Sequence, residues 1–489
     1  MSTVSPIRPQ DRLPFSQMLI YGIGAFVNNL LAGAFGAMMI ILNLGLGMDP
    51  ALVGLVASIP RFFDALTDPV MGYISDNTRS RWGRRRPYIF VGAISVGLVF
   101  MLIWQLPAGH SEMFYFWFFL IGSLVFYLAY TIFATPWVAL GYEMTPDYHD
   151  RTRLMGTQNF IGQLAYFIPP WLLPLMQDTR LFDNMVEGAG GVAIALGVMM
   201  IVGGVLPAIF LRERVRLKAM AEMALSPAQA GWTRLQAARA RILDFFQGFA
   251  KALSFMPFLK LCLATFLVFN GFILISSFST YVIIYYVFSG DTVKGAEYAA
   301  YAGTLGTLST FIVIAFVTWL ATRIGKRLTF AISTGISMLG YTLKWFCYQP
   351  ENPWLVVLPA PLLAFGLGGL FTLMPSMMAD IVDLDELKTH ERREGMYGSI
   401  YWWVVKLGMT AALAGGGFLL NATGFKVELG GMQSPQTITL LRLFDAFIPV
   451  LASAIAIWAV ATLGIDQNLA ERTRRELEAR RVAPGAIPA

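Results

Sequence analysis

The chain has 489 residues, of which 56% are hydrophobic and only 13% charged, and its mean hydropathy is +0.60. That apolar fraction lies above the range of soluble domains and marks an integral membrane protein. The formal charge of +6 comes from short basic clusters between apolar runs, which membrane topology explains better than nucleic-acid binding, and Cys262 and Cys347, both in apolar runs, give neither a disulfide framework nor a metal-ligand spacing.

The polar start "MSTVSPIRPQDRLPFSQ" leads into an apolar run too long for a signal-peptide core and without a convincing cleavage site, so it reads as a retained first helix. Twelve runs are long enough to cross ~30 Å of hydrocarbon. They cover roughly 16–46, 51–75, 87–106, 113–140, 154–175, 190–212, 257–288, 297–320, 328–347, 353–380, 395–420 and 441–464. The connections alternate in charge. "NTRSRWGRRRP", "HDRTR", "RERVRLK", "TRIGKR", "KTHERRE" and the tail "ERTRRELEARR" are basic, whereas "NLGLGMDP", "PAGHSE" and "YQPENP" hold no Lys or Arg. The positive-inside rule therefore places both termini in the cytoplasm, as an even number of spans requires.

The longest polar interruption divides the spans six and six. The expected organisation is an all-α integral membrane protein of two pseudo-symmetric six-helix bundles, 1–212 and 257–464, with a cytoplasmic central loop at 213–256 and a cytoplasmic tail at 465–489. Within the loop, "WTRLQAARARILDFFQGFAKAL" has apolar residues near helical spacing, which predicts an amphipathic helix on the inner leaflet or a plain linker helix. The halves echo each other: a basic turn follows spans 2 and 8, and an acidic turn with arginines follows spans 4 and 10. Internal symmetry of this kind characterises transporters built from repeats.

Span 2 contains "RFFDALTDPVMGYISD". On a helix Asp64 and Asp68 share one face, roughly 6 Å apart at Cβ, with Arg61 one turn earlier. An ionised side chain at mid-bilayer costs on the order of 3 kcal/mol, so both aspartates are expected to face the bundle interior. Two carboxylates on adjacent turns need a positive partner: a hard cation, a proton or a basic side chain. A coupling-ion site meets that need; a structural pair with Arg61 is the competing account. Asp76, at the end of the span, is expected to make a structural or gating contact with Arg79, Arg84 or a helix end. Lys406 lies roughly 16 Å into span 11, too deep to snorkel easily. It reads either as a link between ion occupancy and substrate binding or as a structural interhelical pair, with Asp64 and Asp68 as the obvious partners. Lys344, near the outer end of span 9, is expected to snorkel. Asn28, Asn29, Tyr130, Thr131, Thr135, Gln158, Asn159, Gln163, Asn270, Trp402 and Trp403 are polar or aromatic residues suited to a lined cavity or to helix–helix contacts. The histidines fall in loops, and no nucleophile-and-base set or metal-ligand cluster lies at membrane depth, which argues against an enzyme.

These residues in this order resemble the glycoside-pentoside-hexuronide:cation symporter family of the major facilitator superfamily. The resemblance runs through all twelve spans and rests on "YGIGAF", "RFFDALTDPVMGYISDNTRSRWGRRRPYI", "YTI", "ADIVDLDELKTHERREG" and Lys406. It implies that Asp64, Asp68 and Thr131 contribute to a cation site, with Lys406 close by, and that Arg61 lies near the sugar pocket. In melibiose-type members two aspartates hold the sugar hydroxyls; Asn29 and Ala134 occupy those positions here. The charge-assisted grip on a galactoside is thereby lost.

The expected function is cation-coupled symport, with Na⁺ or H⁺, of a sugar, glycoside or uronide by alternating access; the alternative is a lysophospholipid or other amphipathic solute. Expected site residues are Asp64, Asp68 and Thr131 for the cation, Lys406 for coupling, Arg61, Asn29, Tyr130, Trp402 and Gln158 for substrate, and Asp76, Arg84, Arg151 and Arg392 for gating. No cofactor beyond the coupling ion and no nucleic-acid partner is expected, and the protein is expected to act as a monomer in a bacterial inner membrane.

Overall fold

A computed structural model of the chain describes residues 13–78, 80–107, 109–145, 148–213, 254–389, 393–465 and 467–482. Among them the secondary structure is helical with no strand, and the chain divides into two compact units, Met1–Ala238 and Arg239–Ala489. The amphipathic helix expected in the central loop, together with Arg79 and Arg392, lies outside the described residues.

The first unit contains α1 (Phe15–Met38), α2 (Ile40–Leu44), α3 (Pro50–Asn77), α4 (Arg86–Ile103), α5 (Glu112–Glu143), α6 (Tyr148–Leu164), α7 (Pro169–Met176) and α8 (Met185–Phe210). The second contains α9 (Met256–Val282), a π-helical turn (Ile283–Val287), α10 (Thr292–Ile324), α11 (Lys326–Cys347), α12 (Ala360–Thr389), α13 (Glu394–Ala422), α14 (Pro435–Ala461) and α15 (Gln467–Val482). Among the described residues ten helical stretches are long and apolar enough to cross a membrane. The other two expected spans differ for visible reasons. The fifth is interrupted between α6 and α7 by a 3₁₀ turn at Ala165–Phe167 ahead of Pro169 and Pro170, which have no N–H to continue the ladder. The ninth, α11, is less apolar because it buries a polar face of Thr329, Ser333, Thr334, Ser337 and Lys344.

The repeat read from the loops is also present in the packing. In the first unit α1 packs on α6 and α8, α3 on α5, and α4 on α5 and α8; in the second α9 packs on α13 and α14, α10 on α12, and α11 on α12 and α14. Taken span by span, the same five pairings occur twice. Small residues let these helices approach where no hydrophobic effect drives them together. A Cβ on Gly92 of α4 would lie 2.5 Å from the backbone nitrogen of Phe133 on α5.

The helix ends repeat as well. Arg86, opening α4, donates to the carbonyls of Ala208 and Ile209 at the end of α8, both at 2.7 Å. In the second unit Arg327, opening α11, donates to the Ala461 carbonyl that ends α14. Each cation satisfies acceptors that have no partner within the helix and lies at the negative end of its dipole.

Lys344 does not snorkel. It is 2% exposed and pairs with Asp445 of α14 at 3.0 Å, with the Ser279 hydroxyl of α9 bonded to the same carboxylate oxygen at 2.7 Å. An ammonium with an anion beside it has no reason to stretch toward the headgroups. Arg442, one turn from Asp445, lies 4.0 Å from the Tyr286 ring and 4.5 Å from the Trp345 ring. Asp445 is the charge that the sequence reading passed over, although it stands in the apolar run "LLRLFDAFIPV".

Gly92→Ala is expected to push α4 from α5 at a cost of about 1–3 kcal/mol, lowering the melting temperature of the purified protein; an unchanged melting temperature would show that the contact relaxes freely. Asp445→Leu, which strands the Lys344 charge, is expected to destabilise by about 3–5 kcal/mol, with most of the loss recovered in the Lys344→Met, Asp445→Leu double variant. Additive losses in the double variant would mean that the pair is not coupled.

Candidate cation and substrate site

The acidic turns of α3 begin from a well-defined helix start. Asp49 caps it by accepting from the amides of Ala51 and Leu52 at 2.8 and 3.3 Å, and Pro50 occupies the first turn, where its missing N–H costs nothing. From there the 28-residue helix places Asp64 near its middle and Asp68 one turn on, with Pro60 and Pro69 inside the helix on either side. Each internal proline removes one ladder hydrogen bond, so α3 depends on its neighbours around the acidic turns.

That neighbour is α5. The Thr131 hydroxyl donates to Asp64 Oδ1 at 2.8 Å, and the Thr135 hydroxyl donates to Asp68 Oδ1 at 3.0 Å. Both pairs are separated by 67 residues, so the two helices are in register over a full turn and form two successive carboxylate–hydroxyl rungs. Thr67 stands beside the first rung, its hydroxyl 3.2 Å from that of Thr131 and donating to the Asp64 carbonyl at 3.2 Å.

Arg61 completes the cluster. Its Nη1 is 3.3 Å from Asp64 Oδ2, and its guanidinium lies 5.0 Å from the centre of the Tyr127 ring on α5. Arg61 and Asp64 are 6% and 1% exposed, so the pair is held without bulk water. One guanidinium against two carboxylates leaves these three residues with a single negative charge. The spacing of Arg61, Asp64 and Asp68 was legible as a helical period; Tyr127 carried no signal, since an aromatic in an apolar run is ordinarily core.

Other expected residues occupy α1, α5 and α6. The Tyr130 hydroxyl donates to Asn28 Oδ1 at 2.9 Å, and Asn28 Nδ2 donates to Asn29 Oδ1 at 3.4 Å. Asn29 lies over Gly162 of α6, where a Cβ would come 2.9 Å from its amide nitrogen. Gln158 Oε1 is buried and accepts no hydrogen bond among the described residues. In the second unit Trp402 and Lys406 stand one turn apart on α13; Trp402 is exposed and Lys406 is partly buried. Asn270 donates to the Phe266 carbonyl of its own helix at 2.7 Å.

A second charge cluster lies at the end of α3. Asp76 pairs with Arg85 at 2.8 Å rather than with Arg84, and Arg85 also reaches Glu143 at 2.9 Å. Arg84 pairs with Glu143. Glu213 accepts from the backbone amides of Arg84, Arg85 and Arg86 at 2.8, 2.8 and 3.0 Å, capping the start of α4. Gly83, at φ +101°, gives its carboxylate room, since a Cβ there would collide with it. Arg151 donates to the Thr145 carbonyl at 3.4 Å. Glu143 and Glu213 were missed because acids at helix ends ordinarily face solvent. Their signal was the sequence "GRRRP", whose cations need anions. In the second unit the matching place is taken by Lys326, 2.6 Å from Asp380.

Comparison with known proteins places this architecture. Residues 20–467 match the model of the family described as MFS/sugar transport protein. The chain is 26% identical to an uncharacterized symporter of Synechocystis sp., over 87% of this chain and 89% of that one, and 23% identical to the isoprimeverose transporter of Lactiplantibacillus pentosus, over 94% and 90%. A solved structure described as giving insight into substrate recognition in proton dependent oligopeptide transporters matches with a TM-score of 0.64 at 16% identity, over 94% of this chain and 99% of that one, a likeness of fold. The chain belongs to the MFS/sugar transport protein family, whose members are membrane transporters of the major facilitator superfamily.

Proposed function

We propose that the chain is a secondary active transporter that carries a sugar or glycoside together with a monovalent cation by alternating access. The observation that carries this reading is the pair of carboxylates in mid-helix, each held by one hydroxyl, with Arg61 beside the first of them. Carboxylate and hydroxyl oxygens are the donors that hard cations prefer. The substrate class is supported by the isoprimeverose transporter, and coupling by the symporter of Synechocystis sp..

In this reading Asp64, Asp68 and Thr131 hold the coupling ion, which travels as a co-substrate. Arg61, Asn29, Tyr130, Gln158 and Trp402 bind the sugar. The buried, unpartnered Gln158 Oε1 is an acceptor suited to a sugar hydroxyl. Lys406 links the two occupancies, and by linkage each ligand then tightens the other's binding by the same factor. The ion pairs of Asp76 and Arg84, with Arg151 and Arg392, form and break as the transporter alternates. The basic connections support a cytoplasmic position for both termini in a bacterial inner membrane, and in this reading the protein works as a monomer.

Asp68→Asn is expected to abolish cation-driven uptake of the transported sugar in membrane vesicles while the purified variant stays folded; undiminished uptake under a Na⁺ or proton gradient would defeat the assignment. Lys406→Ala is expected to weaken sugar and cation binding together in thermal-shift titrations against a panel of sugars and uronides. A change in only one of the two affinities would remove Lys406 from the coupling step.

A further inference from the structure

We propose that Thr135 is a specificity residue for the coupling ion: its hydroxyl oxygen is a direct ligand of the cation and favours Na⁺ over the smaller Li⁺. The inference rests on the reading of the α3 and α5 cluster as a cation site and goes beyond it, because the sequence marks Thr135 only as a lining hydroxyl.

The argument begins with register. Asp64 with Thr131 and Asp68 with Thr135 are successive rungs of the same 67-residue offset, so the second hydroxyl stands to the second carboxylate as the first stands to the first. An ion shared by Asp64 and Asp68 is therefore bordered along α5 by two hydroxyl oxygens one turn apart. A hydroxyl has one proton and two lone pairs. Thr135 spends its proton on Asp68, and among the described residues its oxygen accepts from no donor, which leaves the lone pairs for a ligand. Thr131 is placed differently, with the Thr67 hydroxyl 3.2 Å from its oxygen.

The second step is coordination chemistry. The carboxylates supply charge to any alkali ion alike, so discrimination falls to the number and placing of neutral oxygens around them. Na⁺ takes more oxygens than Li⁺ to replace its hydration shell, and an added neutral ligand therefore benefits Na⁺ more. Because both hydroxyls come from one helix that is clamped at each rung, the donors are positioned before the ion arrives, and little ordering cost remains to be met on binding.

The experiment is cation titration of the purified full-length protein, followed by thermal shift, with NaCl and LiCl at constant ionic strength in choline chloride. The wild type, Thr135→Val, Thr135→Ala, Thr135→Ser and Asp68→Asn are compared. Valine keeps the shape and removes the oxygen, alanine gives an independent removal, and serine keeps the oxygen. The expected result is a roughly tenfold rise in the half-saturating Na⁺ concentration for the valine and alanine variants, the size of one lost polar contact, with a smaller rise for Li⁺ and recovery of both by serine. Equal rises for Na⁺ and Li⁺ would make Thr135 a mere support for Asp68 and overturn the proposal. Unchanged titrations in the valine and alanine variants, with cation response lost in Asp68→Asn, would overturn it while leaving the cation site standing. A wild type that neither ion stabilises would instead remove the cation-site reading itself, and this inference with it.

Discussion

The arrangement depends on one constraint: a charge at membrane depth has to find its compensation inside the protein. Water is absent and the low dielectric makes each unpaired charge expensive. The second unit meets the constraint where Lys344 and Asp445 pair at 3.0 Å with the Ser279 hydroxyl on the same carboxylate. The first unit meets it with an ion pair and with hydroxyl groups. Arg61 pairs with Asp64, and the hydroxyls of Thr131 and Thr135 donate to Asp64 and to Asp68 one turn away.

The two units share a frame and differ at its centre. The same five helix pairings hold each of them together. The same kind of basic residue opens the third span of each and reaches the carbonyls that end the sixth, Arg86 in one and Arg327 in the other. Arg84 with Glu143 answers Lys326 with Asp380. These contacts sit at helix ends, where orphan backbone groups and the dipole impose the same requirement in both halves. At the middle of the helices no such requirement operates, and there the units have diverged: the two-rung cluster of α3 and α5 has no equivalent between α10 and α12 among the described residues.

Much of this was legible beforehand because it follows from spacing along a single helix. Arg61, Asp64 and Asp68 fall at intervals of three and four, which set them on one face whatever the tertiary structure. Twelve apolar runs and alternating basic loops likewise follow from the length needed to cross a bilayer and from the sidedness of Lys and Arg. What failed was the fate of single charges. Lys344 looked free to snorkel because its partner, Asp445, stands about a hundred residues away in another helix. Asp76, expected near Arg79, Arg84 or a helix end, meets Arg85, the neighbour of Arg84 in sequence, across the turn that contains Gly83.

The amino-acid sequence by itself determined the class of the protein, the order of its helices, their division into two related halves, and the helix face on which the acidic residues lie. These are consequences of hydrophobic length, charge sidedness and the 3.6-residue period, all of which act locally. Tertiary structure alone decided that Thr131 and Thr135 meet the two aspartates in a common register, that Tyr127 lies beneath Arg61, and that Glu213 closes on the start of α4. Each of those contacts joins residues far apart in the chain, and its geometry depends on how closely two helices approach and at what rotation, which is fixed by the small residues packed between them and not by either helix alone.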